Sequence, residues 1–166
     1  MCGGFGHNVK VLFLHGLESG PGGHKARWFA AHCGGITPTL STVSVEAAVA
    51  DAKAAIYGYA PDIVVGSSFG GAVLLSLLNE GVWRGPCLFL AQAGLRMTPW
   101  RTLPAGTRAI LVHGRGDDIV PVEDSEALAT TGGDGVRLVI VEDGHRLMSV
   151  LGAPLAGWLE ELAGPG

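Results

Sequence analysis

Three observations predict an α/β fold, a three-layer sandwich built on a mostly parallel six-stranded sheet. Short apolar runs recur along the 166 residues and alternate with segments of helical periodicity. The runs are continuous rather than alternating, as in Val11–Leu14 (VLFL) and Cys87–Ala91 (CLFLA), which is what strands buried on both faces require. Polar clusters follow the runs, where a parallel sheet presents the loops that carry ligands. Hydrophobic residues make up 48% of the chain and charged residues 16%, enough apolar material for one domain over residues 1–166 with its own core.

Taken in order, residues 1–8 are glycine-rich and read as a loose end. Val11–Leu14 is the first strand; a long loop from His15 to Gly23 leads into a helix from about His24 to His32. Ile36–Val43 reads as a second strand, at an edge because of Pro38 and its threonines. Ser44 is an N-cap for an alanine-rich helix that ends near Tyr59, with Pro61 as the stop. Asp62–Val65 is the third strand and Phe69–Asn79 its helix, and Cys87–Ala91 is the fourth strand. The segment Gly94–Trp100 is too short and irregular to predict a full crossover helix. Ala109–Val112 is the fifth strand, followed by the loop His113–Pro121 and a helix to about Thr130. Val136–Val141 is the sixth strand, and a last helix carries Leu151, Leu155, Trp158, Leu159 and Leu162 on one face.

The totals exclude several function classes. A net charge of −4 without a basic patch argues against nucleic acid and anionic membranes as partners. The apolar runs are strand-length, and MCGGFGHNVK lacks the charged and apolar regions of a signal peptide, so a cytoplasmic location is expected. Cys2, Cys33 and Cys87 are too few and too scattered for a disulfide framework or a zinc site. No metal and no organic cofactor is expected.

The chemistry centres on Asp62–Gly71, DIVVGSSFGG. A buried strand runs into Gly66-Ser67-Ser68-Phe69-Gly70 and a helix begins at once, the strand–turn–helix arrangement of a nucleophile elbow. The residues two before and two after the serine must be small so that strand and helix can close. Ser68 Oγ then stands clear of the sheet, with a helix N-terminus behind it and the Phe69 N–H free to donate. A serine nucleophile needs a base, and the base needs an acid to hold its tautomer. His145, after the sixth strand, is the candidate base. Asp117, in HGRGDDIVP after the fifth, is the candidate acid, with Asp118 as its alternative. Asp143 reads as a residue that turns the His145 loop, and Ser67 as nucleophile breaks the glycine spacing.

LFLHG, GSSFGG, HGRGDDIVP and DGH stand in that order over nearly the whole chain. Through these motifs the sequence resembles the α/β-hydrolase superfamily, in particular its small, lidless bacterial serine esterases. The resemblance implies a Ser68–His145–Asp117 triad and an oxyanion hole from the backbone N–H groups of Leu17 and Phe69. It implies a reduced core as well, since the two strands that open the full family fold have no room before Val11 and little chain remains for a lid.

A small-molecule ester is the expected substrate. Glu18 and Ser19 flank the oxyanion loop as candidate substrate contacts. Leu95, Met97 and Trp100 are candidates for an acyl- or alcohol-binding wall, with plain packing as the competing role for Trp100. His15 and His113 each open a His-Gly pair and read as structural, His24 and His32 as surface residues, and Trp28, Trp83 and Trp158 as core or rim aromatics. Two competing functions remain: a non-catalytic binding protein on the same fold, and phosphate binding by Gly20–Lys25 (GPGGHK), which lacks the Gly-Lys-Ser/Thr of a P-loop.

Overall fold

The computed structural model describes residues 9–166; the glycine-rich start and Cys2 lie outside the described residues. Five strands, β1 (Val11–Leu14), β2 (Ile63–Ser67), β3 (Cys87–Leu90), β4 (Ala109–Gly114) and β5 (Val136–Val141), pair in the order β1-β2-β3-β4-β5. Every pairing is parallel. The helices are α1 (His24–Cys33), α2 (Val45–Tyr59), α3 (Phe69–Asn79), the one-turn α4 (Gly94–Met97), α5 (Val122–Thr130) and α6 (Ala153–Ala163).

Alternate strand residues point to opposite faces, and two cores result. Leu12, Leu14, Val64, Cys87, Phe89 and Leu111 meet α2, α3 and Leu128 of α5 on one face. Val11, Phe13, Ile63, Val65, Leu88, Leu90, Ile110 and Val112 meet α1 and α6 on the other. Each strand is added on the same side of its predecessor. Right-handed crossovers therefore carry α2, α3 and α5 to one face, leaving the other to α1 and α6. The three layers follow from that.

Among the described residues the sheet has five strands and not six. Ile36–Val43 forms no strand: it makes a single bridge, between Ile36 and Leu12. Beyond Ile36 several backbone donors go to side chains. Pro38 has none, the Leu40 N–H donates to His15 Nε2, the Ser41 N–H to Asp51 Oδ2 and the Val43 N–H to Ser41 Oγ. No ladder can form from a backbone already satisfied by side chains. Val43 is 90% exposed as a result.

Helix α2 starts where its cap requires, with Ser44 Oγ accepting the Ala47 N–H at 3.0 Å. Helix α3 is buried from Phe69 to Leu78, as its unbroken apolar sequence requires. The β3–β4 connection holds only α4 and an irregular segment over 98–108. Among the described residues no helix is long and apolar enough to cross a membrane.

Candidate active site

The carboxyl ends of β2, β4 and β5 bring three loops together. At the end of β2, Ser68 has φ 54° and ψ −112°, a conformation that costs on the order of 1–3 kcal/mol for a non-glycine residue. Flanking bonds hold it there: the Ser68 N–H donates to the Leu90 carbonyl at 2.9 Å, and its own carbonyl accepts from Gly71 and Ala93. The glycines of the motif are sterically obligatory. A Cβ on Gly70 would collide with the carbonyl of Leu14 at the end of β1, and one on Gly66 with the backbone of Gly70 and Gly71. Only glycine allows strand, turn and helix to approach this closely.

The turn presents Ser68 Oγ to His145, 2.9 Å from Nε2. On the far side of the ring, Nδ1 lies 2.8 Å from Asp117 Oδ2. The carboxylate can only accept, so Nδ1 carries the hydrogen and the Nε2 lone pair faces the serine. The acid partner in this chain of bonds is Asp117. Asp118 is exposed and makes no such bond; it lines an open cleft of about 480 Å³ with Asp117, Arg96, Arg115 and Glu123.

The Asp117 side chain is buried, whereas the His145 side chain keeps 19% exposure. Burial alone would raise the Asp117 pKa. Hydrogen bonds from His145 and from the Val120 and Ile119 N–H groups, with the nearby His145 charge, bring it below the ordinary carboxylate value. Asp143 shapes the turn that carries His145, accepting from the Ser149 hydroxyl, the Ser149 N–H and the Gly144 N–H. These bonds, the Ser149 hydroxyl foremost, hold its carboxyl below the usual range against a smaller opposing effect of desolvation. Lys25 of α1 braces the same loop from outside, donating to the Arg146 carbonyl at 2.6 Å. Burial and then the Arg146 charge lower its pKa, and Asp143 offsets part of this.

Both carboxyls have folded pKa values below those of the unfolded chain, which fixes the sign of their pH effect. The stability they contribute is fully present above the ordinary carboxylate pKa of about 4 and is lost as pH falls through the folded values. Unfolding free energy should therefore stay level from pH 7 to about 5 and decline steeply below about 4. Denaturant melts of the wild type and Asp143→Asn check this: the variant should start lower at pH 7 and show a shallower acid slope.

Opposite the histidine, the loop after β1 overhangs the serine. A Cβ on Gly16 would sit 3.7 Å from both Ser68 Cβ and Ser19 Oγ, which places the Gly16–Ser19 turn beside the nucleophile candidate. His15, 2% exposed, pins this loop. Its Nε2 accepts the Leu40 N–H, so its Nδ1–H donates to the Gly16 carbonyl at 2.8 Å. Neither the Leu17 nor the Phe69 N–H donates to another of the described residues. Leu17 is 49% exposed, and Glu18 and Ser19 are exposed beside it.

Other candidates are placed differently. Leu95 and Trp100 pack against the α2–α3 core, and only Met97 of that group stays exposed. In the Gly20–Lys25 loop, the Gly23 N–H is turned back onto the Gly20 carbonyl and the Lys25 ammonium is engaged by Arg146. His24 is exposed and bonds Arg27, and His32 stacks on Trp28 with centroids 4.5 Å apart. Among the described residues no group of three or more His, Cys, Asp or Glu could hold a metal ion. Sequence reasoning missed a second contact of Asp117, to His113; the four-residue spacing within HGRGD was the only available signal.

A parallel sheet with a strained serine after one strand and hydrogen-bonded aspartate and histidine after two others defines a class of fold: that of the α/β hydrolases. Solved structures agree. The chain resembles a protein of the alpha/beta hydrolase superfamily from Xanthomonas campestris, with a TM-score of 0.77 at 22% identity over 93% of this chain and 96% of that one. It is similar to alpha/beta hydrolase domain-containing protein 10 from mouse, with a TM-score of 0.72 at 19% identity over 92% and 87% of the two chains. The esterase domain of a Rhodothermus marinus protein superposes with a TM-score of 0.69 at 14% identity, over 94% and 88%. No protein-family profile matches the sequence, and no curated protein matches it. The chain has the α/β-hydrolase fold.

Proposed function

We propose that the protein is a serine hydrolase that cleaves small carboxylic esters, or thioesters, through an acyl-enzyme on Ser68. The observation that carries this is the continuous hydrogen-bonded chain Ser68 Oγ–His145–Asp117 at 2.9 and 2.8 Å, mounted on a strained elbow. In the first half-reaction Ser68 Oγ attacks the ester carbonyl as His145 Nε2 takes its proton. The imidazolium is held by Asp117 and returns the proton to the leaving alcohol or thiol. Water then repeats the sequence on the acyl-enzyme, with His145 again as base. The Leu17 and Phe69 N–H groups, with no partner among the described residues, are the donors for the developing oxyanion. Such preorganised donors are usually the largest single contribution to rate.

An esterase domain among the structural neighbours is compatible with this reading. Leu17, Ile119 and Met148 are exposed apolar side chains on the loops that carry the proposed site, whereas the partly buried Leu95 and Trp100 pack against the core. A site of this kind gains little from each added methylene, where full burial would contribute about 0.8 kcal/mol per CH₂. Hydrolysis of p-nitrophenyl acetate, butyrate, octanoate and palmitate tests the proposal. kcat/KM should be highest for the short esters. A steady climb to palmitate would require a deep acyl tunnel, and no turnover of any of the four would overturn the esterase reading.

A further inference from the structure

The turn that carries His145 is held from outside by a single polar side chain. Gly144 to Leu147 closes on one backbone bond, the Leu147 N–H donating to the Gly144 carbonyl at 3.3 Å. His145 stands at the first central position of that turn. The closing bond is long, and Leu147 adds strain. Its φ of 50° lies in the left-handed region, which a leucine side chain disfavours. Such a conformation persists only where its surroundings hold it. Two holds are present, and both lead to α1. The Leu147 side chain is fully buried in the core cluster that also contains Ala26 and Phe29. The peptide between Arg146 and Leu147 supplies the N–H that closes the turn, and its oxygen accepts no backbone N–H among the described residues. That oxygen accepts instead from the Lys25 ammonium, at 2.6 Å.

We propose that Lys25 is a positioning residue that fixes the His145 turn to α1 and so sets the base relative to the proposed oxyanion donors. Helix α1 suits the role because of what precedes it. It starts at His24, directly after the loop that carries Leu17. A Cβ on Gly23 would stand 2.8 Å from Ser19 Cβ, so this loop lies tightly against the start of the helix. One rigid element thus meets the Leu17 loop at its first turn and the His145 turn through Lys25. The charges point to a directed contact rather than a general attraction. Lys25 is half-buried, and burial and the Arg146 charge both disfavour an ammonium there, with only Asp143 favouring it. What the ammonium gains in return is a charge-assisted bond to one carbonyl. Lys25 bonds the residue after His145 and not the imidazole, whose two nitrogens face Ser68 and Asp117, so it acts through the turn. The catalytic consequence rests on the hydrolase reading; the geometry does not.

Lys25→Met keeps the stem and loses the donors, whereas Lys25→Arg keeps a donor; each is checked for folding by thermal unfolding. Two quantities are read: kcat and KM for p-nitrophenyl acetate, and the hydrogen-exchange rate of the Leu147 amide by NMR. In Lys25→Met kcat should fall roughly tenfold, as expected when a catalytic group is slightly misplaced, with KM within about twofold. The Leu147 amide should exchange several times faster, because its peptide has lost the hold on the oxygen. Lys25→Arg should restore most of both. With an active wild type, an unchanged kcat in folded Lys25→Met would overturn the proposal, and so would a loss that Lys25→Arg does not recover. An unchanged Leu147 exchange rate would overturn it as well. If the wild-type chain turns over no ester, the hydrolase reading fails by itself, and the exchange rate still decides whether Lys25 holds the turn.

Discussion

Ser68→Ala is expected to lose at least about 10⁴-fold in kcat on p-nitrophenyl acetate while keeping the wild-type unfolding midpoint within a few degrees. The side-chain oxygen is the only atom removed, and it lies at the partly exposed end of the His145 bond. Its loss removes the covalent route altogether. The proposed oxyanion donors, the Leu17 and Phe69 N–H groups, are untouched by the change, so a small residual rate over water is expected. Ser67→Ala is the matched control. Ser67 ends β2 and is 7% exposed, on the wrong side of the elbow. A Ser67 variant that lost activity beside an active Ser68 variant would refute the assignment of the nucleophile.

Gly70→Ala should be among the most destabilising single changes in the chain. The added methyl would collide with the Leu14 carbonyl and lie against that of His15, both backbone atoms at the carboxyl end of the fully buried β1, so neither side can yield cheaply. The expected loss is about 3 kcal/mol or more, beyond the usual range for overpacking by one carbon. Gly157→Ala provides the opposite sign. Gly157 lies inside α6, and a Cβ there would meet nothing within 4 Å. Replacing a helical glycine in open space should stabilise by roughly 0.5–1 kcal/mol. Chemical denaturation of the two variants compares them directly. Equal effects would mean that the elbow is looser than its contacts imply.

Much of this arrangement is legible in the sequence, and what is not has identifiable causes. Continuous apolar runs mark β1, β2, β3 and β4 because strands buried on both faces have no polar alternation to confuse the pattern, and the half-buried edge strand β5 is interrupted only by Arg137. Ser44 marks the start of α2 because a cap is a local interaction. Ile36–Val43 misleads because its competing partners, His15 and Asp51, are distant in sequence; β propensity there is overridden by side-chain acceptors. The four residues of α4 are below the length at which periodicity can be read, and the sequence leaves open whether Trp100 packs; in the fold it and Leu95 lie partly buried against the core.

The site divides the same way. Ser68, Asp117 and His145 stand at strand ends in motifs that carry their own steric logic, and the fold brings the three together. The preference for Asp117 over Asp118 also follows from the motif, and it is Asp117 that His145 contacts. What the sequence hides is the buried polar cluster at the end of β4, where His113 comes within 3.1 Å of Asp117 Oδ2. Gln92 and Ser125 sit on unremarkable stretches after β3 and in α5, and only the folded chain shows that they line up behind His113.

Covalent labelling tests the central claim most directly. The folded wild-type protein is incubated with a fluorophosphonate, digested, and the modified residue located by mass spectrometry. The account predicts one label per chain, on Ser68, with labelling abolished in Ser68→Ala and strongly slowed in a His145 variant, since the probe is attacked only by an activated serine. No label on the folded protein, or a label on Ser67, Ser19 or any other residue in its place, would contradict it.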